Sequence, residues 1–122
     1  MRRLATVLLV TCLAFPVWTG TASAQGDGFA AFWKEFSAAA AKKDKAKIGT
    51  LTRYPSEELG KDFDTIWKQN FSAAMLACLA KAKPKRDDSA KTPNYVTFCK
   101  ETIYGFDKTP QGWRFAWTHP ND

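Results

Sequence analysis

Tyr95-Val96-Thr97-Phe98-Cys99-Lys100-Glu101-Thr102-Ile103-Tyr104-Gly105-Phe106 and, after Lys108-Thr109-Pro110-Gln111-Gly112, Trp113-Arg114-Phe115-Ala116-Trp117-Thr118 decide the fold class of this chain. Both runs are rich in aromatic and β-branched residues, which suit a pleated, half-buried surface, and the segment between them carries turn residues. They read as the two strands of an antiparallel hairpin. In the second strand Trp113, Phe115 and Trp117 alternate with Arg114, Ala116 and Thr118, so a period of two puts three aromatic rings on one face. The first strand is less regular, with Val96, Phe98, Tyr104 and Phe106 on one face and Cys99 and Ile103 on the other. Either both faces are covered or a bulge near Gly105 shifts the register.

Upstream, residues 84–94 hold no large apolar side chain and read as a surface loop. Before it, Asp62 opens the longest apolar stripe, Phe63, Ile66, Trp67, Phe71, Ala74, Met75, Cys78 and Leu79, which predicts one helix ending near Lys83. Asp44 can cap a short helix carrying Ile48 and Leu51. Leu51 to Tyr54 can be extended because Pro55 follows. Asp27-Gly28 can cap a first helix whose Phe29, Phe32, Trp33, Phe36 and Ala40 share a face, with Lys42 and Lys43 complementing the dipole at its end. The class is therefore α+β, N-terminal helices packed on a small antiparallel sheet.

The first 24 residues stand apart. Arg2 and Arg3 precede an apolar run from Leu4 to Trp18, and Ala22-Ser23-Ala24 closes it, which is the order of a secretory signal cleaved between Ala24 and Gln25. The run is shorter than the ~20 residues a membrane-spanning helix needs, so no transmembrane segment is expected. Acylation at Cys12 fits less well, because Thr11 stands where a small residue is wanted and the apolar run continues beyond it. A twin-arginine route through Arg2-Arg3 rests on a shorter pattern still. The domain is then 25–122, exported to the periplasm or the medium.

Removing Arg2 and Arg3 from the 18 basic residues leaves 16 against 12 acidic ones, a net of +4. The lysines are spread along the chain and no nucleic-acid module accompanies them, so they read as solvated faces, with no nucleic-acid partner expected. Cys78 and Cys99 remain, an even count in an exported chain, and are expected to pair. The bond would close 20 intervening residues and restrict the unfolded chain by ~3 kcal/mol. Two buried thiols are the alternative; a redox pair lacks its C-x-x-C spacing.

No catalytic motif, metal cluster or cofactor fingerprint stands out, and no cofactor is expected. A site for proton abstraction would need a carboxylate near a tyrosine in an apolar cavity. Asp62, Asp64 and Glu101 are the candidate carboxylates, and Tyr54, Tyr95 and Tyr104 the candidate donors. Helix caps and core tyrosines explain the same residues without chemistry. His119 is the sole histidine and stands three residues from the end, where a surface role is expected.

The pieces Phe32-Trp33-Lys34-Glu35-Phe36, Lys43-Asp44-Lys45 and Leu51 to Pro55, followed by Phe106-Asp107-Lys108 and Gly112-Trp113-Arg114-Phe115, together resemble small exported members of the NTF2-like, or SnoaL-like, family. The resemblance implies helices packed into the concave side of a curved sheet, a cone that holds a small apolar ligand, an isomerase or cyclase site, or nothing. With two strands and at best a third at Leu51 to Tyr54, a reduced cone is expected. Trp33, Tyr54, Trp67, Tyr104, Phe115 and Trp117 are the candidate pocket lining, between the long helix and the hairpin. The function expected is a non-catalytic binding domain for a small apolar ligand or an envelope protein, the alternative being a small isomerase- or cyclase-type enzyme. The same surface could dock a second copy as a homodimer.

Overall fold

The computed structural model describes residues 27–89, 91, 92 and 94–121; the segment read as a secretory signal, with Cys12, Ala24 and Gln25, lies outside the described residues. Four helices, α1 (Phe29–Lys42), α2 (Lys45–Thr50), α3 (Phe63–Asn70) and α4 (Ala73–Lys81), precede four strands, β1 (Lys85–Asp87), β2 (Asn94–Cys99), β3 (Thr102–Thr109) and β4 (Gly112–Pro120). The strands form one antiparallel sheet in chain order. The α+β class expected from the sequence is the class observed.

The first helix buries Phe29, Phe32, Phe36, Ala39 and Ala40, the stripe its spacing predicts with Trp33 at its margin. At its start the Asp27 carboxylate accepts the Phe29 N–H at 3.0 Å. Asp44 caps α2 by accepting from the Lys47 N–H at 3.1 Å. Leu51 to Arg53 then run beside β4, with the Arg53 N–H donating to the Phe115 carbonyl and the Phe115 N–H to the Leu51 carbonyl, both at 2.8 Å.

The single helix expected from Asp62 to Lys83 is two. Asn70 Nδ2 donates to the Ile66 carbonyl at 3.0 Å and Phe71 leaves helical geometry (φ −129°, ψ 58°). Ser72 starts the next helix by accepting the Met75 N–H at 3.2 Å. Phe71 stays buried across the break, on Phe115 and Tyr104, so the apolar stripe runs on although the helix does not.

The hairpin of two strands is likewise a sheet of four. Tyr95 to Phe106 turns back on itself at Lys100-Glu101, where Lys100 takes a left-handed φ of 58°, and Cys99 pairs with Thr102. This two-residue turn exchanges the faces read from continuous parity. Tyr95, Thr97 and Cys99 share the helix side with Tyr104 and Phe106, while Val96 and Phe98 join Ile103 on the outer side. The fourth strand, β1, is short and comes out of the segment read as loop, whereas the third strand expected at Leu51 to Tyr54 is reduced to a single bridge between Thr52 and Phe115.

A bulge, one of the two readings left open for the first strand, lies between Gly105 and Phe106, although the turn at Lys100-Glu101 accounts for the uneven parity and the bulge alters the second strand instead. Phe106 pairs with Phe115 but Gly105 pairs with Trp117, so Ala116 is the extra residue. Trp117 therefore does not share a face with Trp113 and Phe115. It lies on the outer side, its indole across Gly105 where a Cβ would collide with the ring. Gly105→Ala is expected to lift the indole and cost about 1–3 kcal/mol. Adding Trp117→Ala should return part of that loss, because the clash is gone and alanine suits a strand better than glycine. Denaturant midpoints of the two single variants and the double variant check this; a Gly105→Ala protein as stable as its parent would contradict the packing.

Between helices and sheet the space is filled. Phe36, Tyr104, Phe106 and Phe115 are fully buried there, with Phe71 beside them. Cys78 on α4 and Cys99 on β2 are joined by a disulfide, their Cα atoms 5.8 Å apart, which ties the last helix to the sheet. Among the described residues no helix is long and apolar enough to cross a membrane.

Candidate functional site

The side chains on the outer face of the sheet are set by pairing. Phe98, Ile103 and His119 form one row and Val96, Gly105 and Trp117 the next. Among the described residues no helix covers this face: Phe98 is half exposed, and the rings of Trp117 and His119 lie 5.1 Å apart. His119 is exposed, as expected of the sole histidine.

At the Trp117 end of this face lies an open groove of about 600 Å³. Arg53 comes from the segment beside β4, Asn94 from the start of β2, Asp107 and Lys108 from β3, and Lys91 from the preceding loop. The Trp117 Nε1–H donates to Asp107 Oδ1 at 3.2 Å, which fixes the ring between its glycine and the groove. Arg53 reaches Glu58 through one terminal nitrogen at 3.3 Å. Its Nε and the Asn94 Oδ1 are buried yet have no hydrogen-bond partner among the described residues. An unpaired buried donor or acceptor costs about 1–3 kcal/mol, and here one of each belongs to the same groove.

The six residues expected to line a pocket are divided among four environments. Tyr104 and Phe115 are buried without exposure, and the Tyr104 hydroxyl donates to the Asn70 carbonyl. Burial pushes that phenol well above its usual range. Trp33 and Trp67 are half-buried against the core, Trp33 on Phe36 and Phe106, Trp67 on Phe63 and Phe71. Tyr54 lines a separate apolar groove with Phe63 and Gly49. Trp117 alone of the six reaches the polar groove.

The candidate carboxylates act locally. Asp62 caps α3 through the Thr65 N–H at 2.9 Å. Asp64 pairs with Lys45 at 2.6 Å, and that hydrogen bond holds its carboxyl below the ordinary value. Glu101 sits exposed in the β2–β3 turn. The carboxylate that does meet a tyrosine is Asp27, which sequence reading placed only as a helix cap. Its Oδ2 accepts from the Tyr95 hydroxyl at 2.7 Å and from Arg86 at 2.8 Å, while its backbone carbonyl accepts from the Trp113 indole at 2.6 Å. Tyr95 in turn stacks on Phe29 with centroids 3.7 Å apart. No sequence spacing announces a contact between residues 27, 86, 95 and 113; only the meander brings them together. Among the described residues no group of three His, Cys, Asp or Glu could hold a metal ion.

Partial burial raises the Asp27 pKa, but the Phe29 N–H, the Tyr95 hydroxyl and Arg86 outweigh it and hold the carboxyl below its ordinary 3.8. The folded value is the depressed one, so Asp27 contributes stability above the unfolded value, and that contribution is lost as pH falls through the folded one. Between about pH 5 and pH 3 the parent protein is therefore expected to lose more unfolding free energy than Asp27→Asn. Asp64 and Asp87, also depressed, titrate in both proteins and cancel in the difference. Parallel acid slopes for parent and variant would show that the Asp27 cluster carries no net stability.

No family model, curated protein or solved structure matches this chain.

Proposed function

We propose that this chain is an exported, non-catalytic binding domain on a reduced NTF2-like cone, and that its ligand or envelope partner docks on the outer face of the sheet. The observation that carries the reading is the division of groups between the two faces. The helix side of the sheet is occupied by fully buried rings, whereas the open groove beside Trp117 gathers charged side chains, two of its lining residues each holding a buried polar atom without a partner among the described residues. Its mixed lining favours a polar ligand over the apolar one expected from the sequence. Export is supported by the signal-like N-terminal segment and by the Cys78–Cys99 bond, which suits an oxidising compartment.

An isomerase- or cyclase-type enzyme is the alternative, and the Asp27–Tyr95 pair is the observation in its favour. The carboxylate is a poor base for such work. It is held ionised by three donors, whereas proton abstraction is served best by a group titrating near the working pH.

The test is a thermal-shift screen of the oxidised domain against polar envelope metabolites, with backbone and indole resonances mapped for each hit. Ligand-induced changes are expected at Arg53, Asn94, Asp107 and Trp117. Changes confined to the helices, or turnover of a hit that stops in Asp27→Asn, would overturn the reading.

A further inference from the structure

We propose that the groove beside Trp117 binds an acidic saccharide, a pyranose ring bearing a carboxylate; this rests on the reading of that groove as the binding site. Three features select the chemistry. The Trp117 indole lies across Gly105 and is half-buried, with one face against the sheet and the rest lining the groove. A flat, weakly polar surface of this kind suits the C–H face of a sugar ring.

The polar groups around the ring are of both kinds. Arg53 Nε is an unpaired donor, Asn94 Oδ1 an unpaired acceptor, and Asp107 keeps a second carboxylate oxygen beyond the one that accepts from the indole. A hydroxyl donates and accepts at once, so sugar hydroxyls suit such a mixed lining, and the two buried atoms would gain partners as their side chains shift to admit the ligand. The charge balance supplies the third feature. Arg53, Lys91 and Lys108 line the groove with Asp107, and Glu58 is already paired with Arg53 at 3.3 Å, so three cations stand against two carboxylates and the net of one positive charge favours a ligand with one negative charge. A phosphate ester is the poorer match, because its dianion exceeds that balance.

Oligogalacturonate and oligoglucuronate are the probes, with maltotriose as the neutral saccharide and uridine monophosphate as the ring-bearing phosphate. Calorimetry reads affinity and the Trp117 indole N–H resonance reads location. At least one acidic oligomer is expected to bind about tenfold or more tightly than maltotriose, to move that resonance, and to weaken about tenfold in Arg53→Gln. Trp117→Phe, which keeps a ring on Gly105, should retain weakened binding; melting curves confirm that both variants are folded. Equal affinity for maltotriose overturns the acidic class. Tighter binding of uridine monophosphate at Trp117 overturns the saccharide and leaves the groove standing as the site. Absence of binding by both acidic oligomers at millimolar concentration overturns the proposal, and acidic-sugar binding that leaves Trp117 unmoved takes the groove down with it.

Discussion

Phe106→Ala is expected to destabilise this domain by about 3–5 kcal/mol, a large part of the ~5–15 kcal/mol that holds a domain folded. Phe106 is fully buried, and its ring lies within 6.0 Å of those of Phe29, Phe32, Trp33, Phe36 and Phe115. Truncation removes the point at which the face of α1 meets the sheet, and the surrounding rings are too rigid to close the gap. Equilibrium denaturation measures it, with Trp67→Ala for comparison. The sequence places Trp67 in the same apolar stripe as Ile66 and Phe71, but its ring is only half-buried at the margin of the core. Its loss is expected to cost less than the loss of Phe106, and the reverse ranking would contradict the assignment of the core.

Reduction of Cys78–Cys99 should lower the melting temperature by roughly 10 to 25 °C, from ~3 kcal/mol of loop restriction and 4 to 8 °C per kcal/mol in a domain of this size. The bond joins α4 to the end of β2, so the reduced chain keeps its other packing and should retain its fold at low temperature. Cys78→Ala with Cys99→Ala should melt near the reduced protein. A reduced protein that melts where the oxidised one does would show the bond to be without effect on stability.

Where local chemistry determines structure, the sequence is readable. The spacing of Phe29, Phe32 and Phe36 suffices for α1 and Asp44 for the start of α2, because each acts within a turn, whereas Gly105 leaves a bulge as one of two readings until the strand pairing is known. The errors come from long-range compensation. Ser72 could cap a helix, but an uninterrupted apolar stripe conceals the break when Phe71 stays in the core. The turn at Lys100-Glu101 has neither glycine nor proline, and its left-handed lysine is imposed by the pairing of β2 with β3. Lys85 to Asp87 carries no strand signal of its own; it is a strand because β2 presents an edge.

The polar groove was out of reach for the same reason. Trp117 is on the outer face only because Ala116 is the extra residue of the bulge, and Arg53 joins it only because Leu51 to Arg53 run beside β4. Trp113, Phe115 and Trp117 look equivalent in a period of two. One added residue sends the third ring to the opposite surface.

The order of the elements also bears on how the chain is made. The apolar face of α1 emerges first, yet its partners Phe106 and Phe115 lie some 70 to 80 residues downstream, and the Trp113 indole that grips the Asp27 backbone comes later than Phe106. During synthesis that helix can meet α2, Phe71 and α4 first, but the part of its face that packs on Phe106 and Phe115 stays uncovered until the final two strands exist. A polypeptide whose first helix is completed by its last strands keeps one side of its core unsealed until elongation is nearly over.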